Sequence, residues 1–397
     1  MTPLANFMPI GTNMNNPSQL LARCIVPLVA AMILSACVSN PGQPDRNMAA
    51  DTSAGPVFYP PLPNSPRIQY LTTIASERDL AVRKDSFADF IVGEEKEAQR
   101  LTQPYGIALH KGKLYVADTG AGGLAIFDLA QQRFSFMTGT GAGRIKRPIN
   151  IRIDADGTRY VTDTGRDQVL VYDRDDRFVK AFGVEGQFRP VDLAISGDRL
   201  YVADIAHHQI QVLEKATGRL LFKFGKAGSG EGELFHPTNI ALGPDGDVYV
   251  VETSNFRVQR FTAEGKPVRT YGAIGSTLGS FARPKGIALD KAGRLLIGDA
   301  AFQNVQVFDN SGKLLMFFGQ TDGRSDGLNL PAGVTVDYEN IAMFRRFADP
   351  KFNIDYLILV ASQFGPNKVD IFGFGKMRDM DYSEAAPAAK PAIRPAS

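Results

Sequence analysis

Three polar residues recur at one position of a repeated segment, and together they could hold a hard cation. Asn150, Asp192 and Asn239 each stand two residues after a proline, in PIN, PVD and PTN. One carboxylate and two amide carbonyls suit Ca²⁺, which takes oxygen ligands in flexible geometry. Asp204 is the candidate fourth ligand. Three other copies have Gly106, Gly286 and Gly333 at that position, so the oxygens would gather on one side. A second, acidic series closes the runs YVAD, YVTD, YVAD, YVVE and LIGD at Asp118, Asp163, Asp204, Glu252 and Asp299. A ring of carboxylates could also collect cations. Recurrence in nearly every copy points instead to carboxylates that cap N–H groups of the adjoining turns. No cysteine follows Cys37, and neither a G-x-S-x-G elbow nor a Gly-rich run opening a helix is visible. Thiol catalysis in the body of the chain is thereby excluded, and serine-elbow and phosphate-cradling chemistry have no support.

The elements that must position these residues form a repeat. It opens at Pro104, Pro148, Pro190, Pro237, Pro284 and Pro331, so its period is 42 to 47 residues. The copies share an apolar run, a turn such as DADG or GPDG, a strand that ends in the acidic residue in the first five, an alternating strand such as QVLVYD and, in the first five, an aromatic strand ending in Gly. Alternation with β-branched and aromatic residues predicts strands, and this period predicts propeller blades. The sixth copy stops after three strands. Residues 67–74 (RIQYLTTI) stand alone before the first copy and are the expected fourth strand. The expectation is an all-β, six-bladed β-propeller over residues 67–376, closed by an N-terminal strand joining the last blade.

The run YVADT, a loop, an alternating strand, then a Gly-rich loop and Pro resembles the NHL repeat, and the likeness covers all six copies. The loops that would carry the Asn-His-Leu signature read TGAGG, TGRDQ, IAHHQ, TSNFR and AAFQN, so that signature is degraded. Six-bladed lactonases of the gluconolactonase type bind a metal through a similar set of Asn and acidic residues. That resemblance implies a metal role for Asn150, Asp192 and Asn239. Peptidyl-hydroxyglycine lyases, also NHL-type propellers, hold zinc through histidines near the channel, which singles out His207, His208 and His236. Loop histidines without a repeating pattern are more often simply exposed.

Cys24 and Cys37 are the only cysteines. Arg23 precedes an apolar run, CIVPLVAAMIL, of signal-peptide length, which ends in Leu34-Ser35-Ala36-Cys37. That tetrapeptide resembles the lipobox of bacterial lipoproteins. It implies a signal peptide over 1–36, lipidation of Cys37 and export, with translation starting at Met1 or Met14. Val38 after the cysteine implies the periplasmic side of the outer membrane. Residues 37–66 read as a Pro-rich tether and 377–397 as a disordered Ala/Pro-rich tail. A short connecting helix is expected within 77–100. The net charge of +2, without a long basic run, gives no sign of nucleic acid.

An insertion of residues 338–355 separates the first two strands of the sixth copy. Phe344, Arg345, Arg346 and Phe347 within it have the residue types of interface hot spots, or the insertion is an elongated hairpin packed on its own blade. The first functional expectation is a non-enzymatic binding or scaffold lipoprotein for a protein, peptide or glycan. The alternative is a metal-dependent lyase or lactonase working at the channel mouth.

Overall fold

The second and third strands of each repeat are nearly continuous apolar runs, so they must be covered on both faces. In the computed structural model they are: Lys113–Asp118 and Gly123–Asp128 are buried except at the entering lysine, and the corresponding pairs follow suit. The structure describes residues 55–80, 98–184, 186–320 and 327–382. Blade 1 consists of Pro104–His110, Lys113–Asp118, Gly123–Asp128 and Arg133–Met137. Blades 2 to 5 start at Pro148–Ile153, Pro190–Ser196, Pro237–Leu242 and Pro284–Leu289, and each is a four-stranded antiparallel meander. Consecutive first strands lie against one another all the way round, and that of blade 6 touches that of blade 1. The six sheets therefore form a closed ring, a β-propeller with the first strands innermost. Outer strands such as Pro267–Tyr271 face solvent for most of their length.

Blade 6 is assembled from both ends of the chain. Pro331–Asp337, Phe352–Ser362 and Val369–Met377 are followed in space by Ile68–Ile74, with Ile68 opposite Phe374 and Ile74 opposite Val369. The sheet then gains a fifth strand, Phe58–Tyr59. The fold thus begins earlier than the expected boundary at 67, inside the stretch read as tether. Pro-rich composition masked it, because only two residues pair, while Phe58 is buried with its ring 5.7 Å from that of Phe352. The other boundary also moves outward. The Tyr382 hydroxyl donates to the Pro66 carbonyl at 2.7 Å and accepts from the Met377 amide at 2.9 Å. Cys37, the signal segment and residues 383–397 lie outside the described residues, as does 81–97, where most of the expected connecting helix falls.

Six apolar clusters fill the six gaps between neighbouring blades. Each blade-joining loop adds one buried apolar side chain just before the next proline: Leu101, Ile145, Phe188, Leu234, Phe281 and Leu328. The glycine ending a fourth strand makes room for it. At Gly272, φ is +73° and a Cβ would meet the Phe281 ring at 2.2 Å.

Candidate functional site

Strand direction places the blade-joining loops and the loops between second and third strands on one face, here called the loop face. The turns between first and second strands define the opposite, turn face. The first strands begin at the loop-face mouth of the central channel. Here the three glycines of the two-after-proline position have a steric cause. A Cβ on Gly106 would lie 2.5 Å from Asn150 Cα, one on Gly286 2.7 Å from the Val334 nitrogen, and one on Gly333 2.2 Å from the Tyr105 carbonyl oxygen. On that side the inner strands approach too closely for any side chain. On the other side the same position carries Asn150, Asp192 and Asn239, all buried.

The structure brings only part of the expected cation set together. The Asp192 carboxylate lies 3.4 Å from the Asn239 amide. Asn150 turns its Oδ1 onto the next amide, Ile151 N–H, at 3.0 Å. The Asp204 carboxylate is occupied by the Arg189 amide at 3.0 Å and by His207, Gln209 and Gln211 at 2.8 to 3.1 Å. Asp192 already has its cation. Arg152 donates to Oδ2 at 2.9 Å, the Ile240 amide donates to the same oxygen at 3.1 Å, and the Leu193 amide donates to Oδ1 at 2.8 Å. The guanidinium also reaches the Leu193 carbonyl at 3.0 Å, so Arg152 braces blade 2 against blade 3. Burial pushes the Asp192 carboxyl above the usual carboxylate range, against the pull of Arg152. These residues do not fit a Ca²⁺ ion: a guanidinium and two amides use the oxygens that coordination would need.

Tyr105 crosses the mouth. Its hydroxyl, carried by blade 1, meets the Asn239 side chain of blade 4 at 3.2 Å, on the far side of a six-membered ring. Burial raises this phenol well above its ordinary pKa, and the neighbouring Asp192 raises it further. Lys285 of blade 5 places its ammonium 5.3 Å from the Tyr105 ring centroid and donates to Gln363 at 2.7 Å. Burial, with Arg283 nearby, pulls its pKa down to about 8. Sequence reasoning missed Tyr105, Arg152 and Lys285. Arg152 had a signal: it stands two residues after Asn150 in PINIRI and so shares its face of the strand.

The strand-end carboxylates are fully buried and accept backbone N–H groups. Asp118 accepts from Thr102, Gln103, Gly120 and Ala121 at 2.6 to 3.1 Å. Asp163 accepts from Lys146, Arg147 and Gly165 at 2.7 to 3.0 Å, and Asp299 from Ala282, Arg283, Ala301 and Phe302 at 2.8 to 3.1 Å. Glu252 accepts from the Phe235 amide and pairs with Arg257 at 2.6 Å. Each side chain ties the loop entering its blade to the loop leaving its second strand. In blade 6 Ser362 takes this place and accepts from Asn329 N–H at 3.2 Å.

The histidines do gather, with the rings of His208 and His236 4.8 Å apart. His208 Nδ1 accepts the His236 backbone N–H at 3.0 Å, so the neutral ring carries its proton on Nε2. Burial, with His236 beside it, lowers the His208 pKa and favours that neutral form. A ring so committed offers no lone pair to zinc. Its face stacks on Phe235 at 5.0 Å and 5°. In the insertion, Ile341–Phe344 is one helical turn and Arg345–Phe347 a 3₁₀ turn. Phe344 is buried between blades 6 and 1, which removes it from any docking surface. Asn340 accepts from the Gly112 amide at 2.9 Å, so the insertion clamps blade 1 as well as its own blade. Arg345, Arg346 and Phe347 are exposed, with Arg346 stacked on Phe347 at 4.7 Å.

The loop face presents a different surface. Val184 (65% exposed), Phe235 (38%), Ile274 (71%) and Phe364 (52%) stand on loops of blades 2 to 6. Arg144, Lys146, Arg147, Arg189 and Arg283 are exposed between them.

Residues 236–261, the heart of blade 4, match the NHL repeat. The protein brain tumor of Drosophila melanogaster is 37% identical over 93 residues, which is 22% of this chain and 9% of that protein. The chain therefore matches under a tenth of that relative's length. A gluconolactonase, XC5397 from Xanthomonas campestris, superposes with a TM-score of 0.51 at 17% identity, covering 69% of this chain and 86% of the other. A protein of unknown function from Bacteroides thetaiotaomicron superposes with a TM-score of 0.53 at 14% identity over 77% and 75%. At such identities these structures share the propeller fold with this chain.

Proposed function

We propose that this is a binding propeller of the cell envelope, held to a membrane by lipid on Cys37 and presenting its loop face to a protein, peptide or glycan partner. The observation that carries this reading is the loop face itself: four exposed apolar side chains interleaved with exposed arginines, the residue types that dominate interface energetics. The address at residues 24–37 supports export, lipidation and a place on the periplasmic side of the outer membrane. The competing reading, a metal-dependent lyase or lactonase, requires Asp192 to give up Arg152 and two amides, and Tyr105 to leave the mouth.

Crosslinking on intact membranes, followed by recovery of the full-length chain, tests the binding reading. A Phe235→Ser/Ile274→Ser variant should lose the crosslinked partner while keeping the wild-type melting temperature. Unchanged recovery removes the loop face as the binding surface. Radiolabelled palmitate should enter the wild-type chain and not Cys37→Ala, and equal labelling of both would refute the anchor.

A further inference from the structure

The residue before each opening proline has a double role. In blades 1 to 6 it is Gln103, Arg147, Arg189, His236, Arg283 and Leu330. The backbone N–H of Gln103, Arg147, Arg189 and Arg283 is held by a buried strand-end carboxylate at 2.9 to 3.0 Å. That bond fixes the Cα at the rim of the channel. It also uses the carboxylate, so the side chain has no acceptor beneath it and leaves for solvent. Three of these side chains are arginines on blades 2, 3 and 5, and all are exposed.

Their charge is largely uncompensated. Arg189 touches Asp167 at 3.2 Å and remains 56% exposed. Arg147 and Arg283 have no ion pair among the described residues, nor have Arg144 and Lys146 on the loop entering blade 2. Elsewhere cations are often paired. Lys113, Lys215, Arg260 and Arg294 on the turn face each lie on a carboxylate at 2.6 to 3.7 Å, although Arg345 and Arg346 there have no such partner among the described residues, and on the loop face Arg257 pairs with Glu252 and Lys226 with Glu233. The chain carries only +2 overall, so the cationic rim reflects where charge is placed and not a general excess.

We infer that the loop face recognises an acidic peptide segment of a partner protein, its carboxylates held by Arg147, Arg189 and Arg283 and its apolar side chains seated on Phe235, Ile274 and Phe364. The inference rests on the binding reading above and adds the chemistry of the partner. Guanidinium groups match carboxylates in a two-pronged geometry. Ile274 and Val184, the two most exposed apolar side chains of the face, are aliphatic: they suit peptide side chains and offer no ring on which a base could stack. A neutral glycan would leave the guanidinium groups without partners.

The test is selection from a random displayed-peptide library on the detergent-solubilised full-length chain, at low and high salt. Recovered peptides should be enriched in Asp and Glu at low salt. For one recovered peptide, an Arg147→Ala/Arg283→Ala variant should bind about tenfold more weakly, because each exposed charge pair contributes modestly and two are lost. An Arg345→Ala/Arg346→Ala variant on the turn face should bind as wild type. The substituted arginines are exposed and without ion pairs, so melting curves should stay unchanged and separate lost binding from lost folding. Enrichment of apolar but not acidic peptides, dependent on Phe235 and Ile274, overturns the acidic partner and leaves the binding face standing. No enrichment at all counts against both. Tighter binding of a poly-uridylate strand than of any recovered peptide overturns the inference in favour of nucleic acid.

Discussion

Replacing Arg152 with alanine isolates the group that stands where a metal was expected. Asp192 is fully buried, and among the described residues its only cationic partner is Arg152 at 2.9 Å. Removing one member of a buried pair leaves an uncompensated charge and costs about 3–5 kcal/mol. For a domain of this size the melting temperature should fall on the order of 5–8 °C. The pH dependence has a definite sign. Burial already holds the folded-state pKa of Asp192 above its unfolded value. Such a group binds its proton more tightly in the native state, so its stabilising contribution is present below the unfolded pKa, about 3.9, and is lost as pH rises through the folded pKa. Arg152→Ala removes the attraction that restrains this shift. The loss should therefore be largest at pH 8 and shrink toward pH 5. Calorimetry of the wild type, Arg152→Ala, Asp192→Asn and the double variant at both values would measure it. The double variant should recover part of the loss, because a neutral amide replaces the stranded carboxylate. A loss below about 1 kcal/mol at pH 8, or one equal at both pH values, would refute the bracing role of the Arg152–Asp192 pair.

Added Ca²⁺ or EDTA should leave the melting temperature unchanged, since a ligand at a hundred times its dissociation constant would add about 2.7 kcal/mol; a clear upward shift with Ca²⁺ would restore the metal reading. Gly333→Ala should destabilise by about 1–3 kcal/mol or more in urea unfolding, because its Cβ meets backbone that cannot rotate away. Asp299→Ala should cost about 3 kcal/mol or more in the same assay, since it strands four amides, whereas Ser362→Ala, which strands one, should cost about 1 kcal/mol. Equal costs for those two variants would refute the capping role.

The propeller was legible because its signal repeats. Six prolines, a recurring acidic strand end and a glycine after each aromatic strand set the blades in register, and the lone strand at 67–74 announced how the ring closes. The site was legible in position but not in chemistry. Asn150, Asp192 and Asn239 do line one side of the mouth, yet their partners come from other blades: Arg152 from its neighbour, Tyr105 from across the channel. Such contacts depend on ring geometry and not on spacing along the chain. Phe344 illustrates a second limit. Among five apolar or cationic neighbours, only the direction of one helical turn decides which ring is buried, and the residue types of a hot spot and of a core anchor are the same. The loop-face rim went unread because its arginines occur in only three of six repeats.

The sharing of blade 6 between the two ends of the chain sets an order on folding. Blades 1 to 5 are local meanders, each able to pair its strands as soon as its own residues are present. Ile68–Ile74 is made before all of them, yet its partner, Val369–Met377, is made after all of them. Until then this apolar strand waits with open N–H and C=O groups, the condition under which chains pair with one another instead of themselves. Completion of the ring is thus a long-range event, and a nascent chain needs shielding from the emergence of Ile68–Ile74 until Val369–Met377 has followed five whole blades.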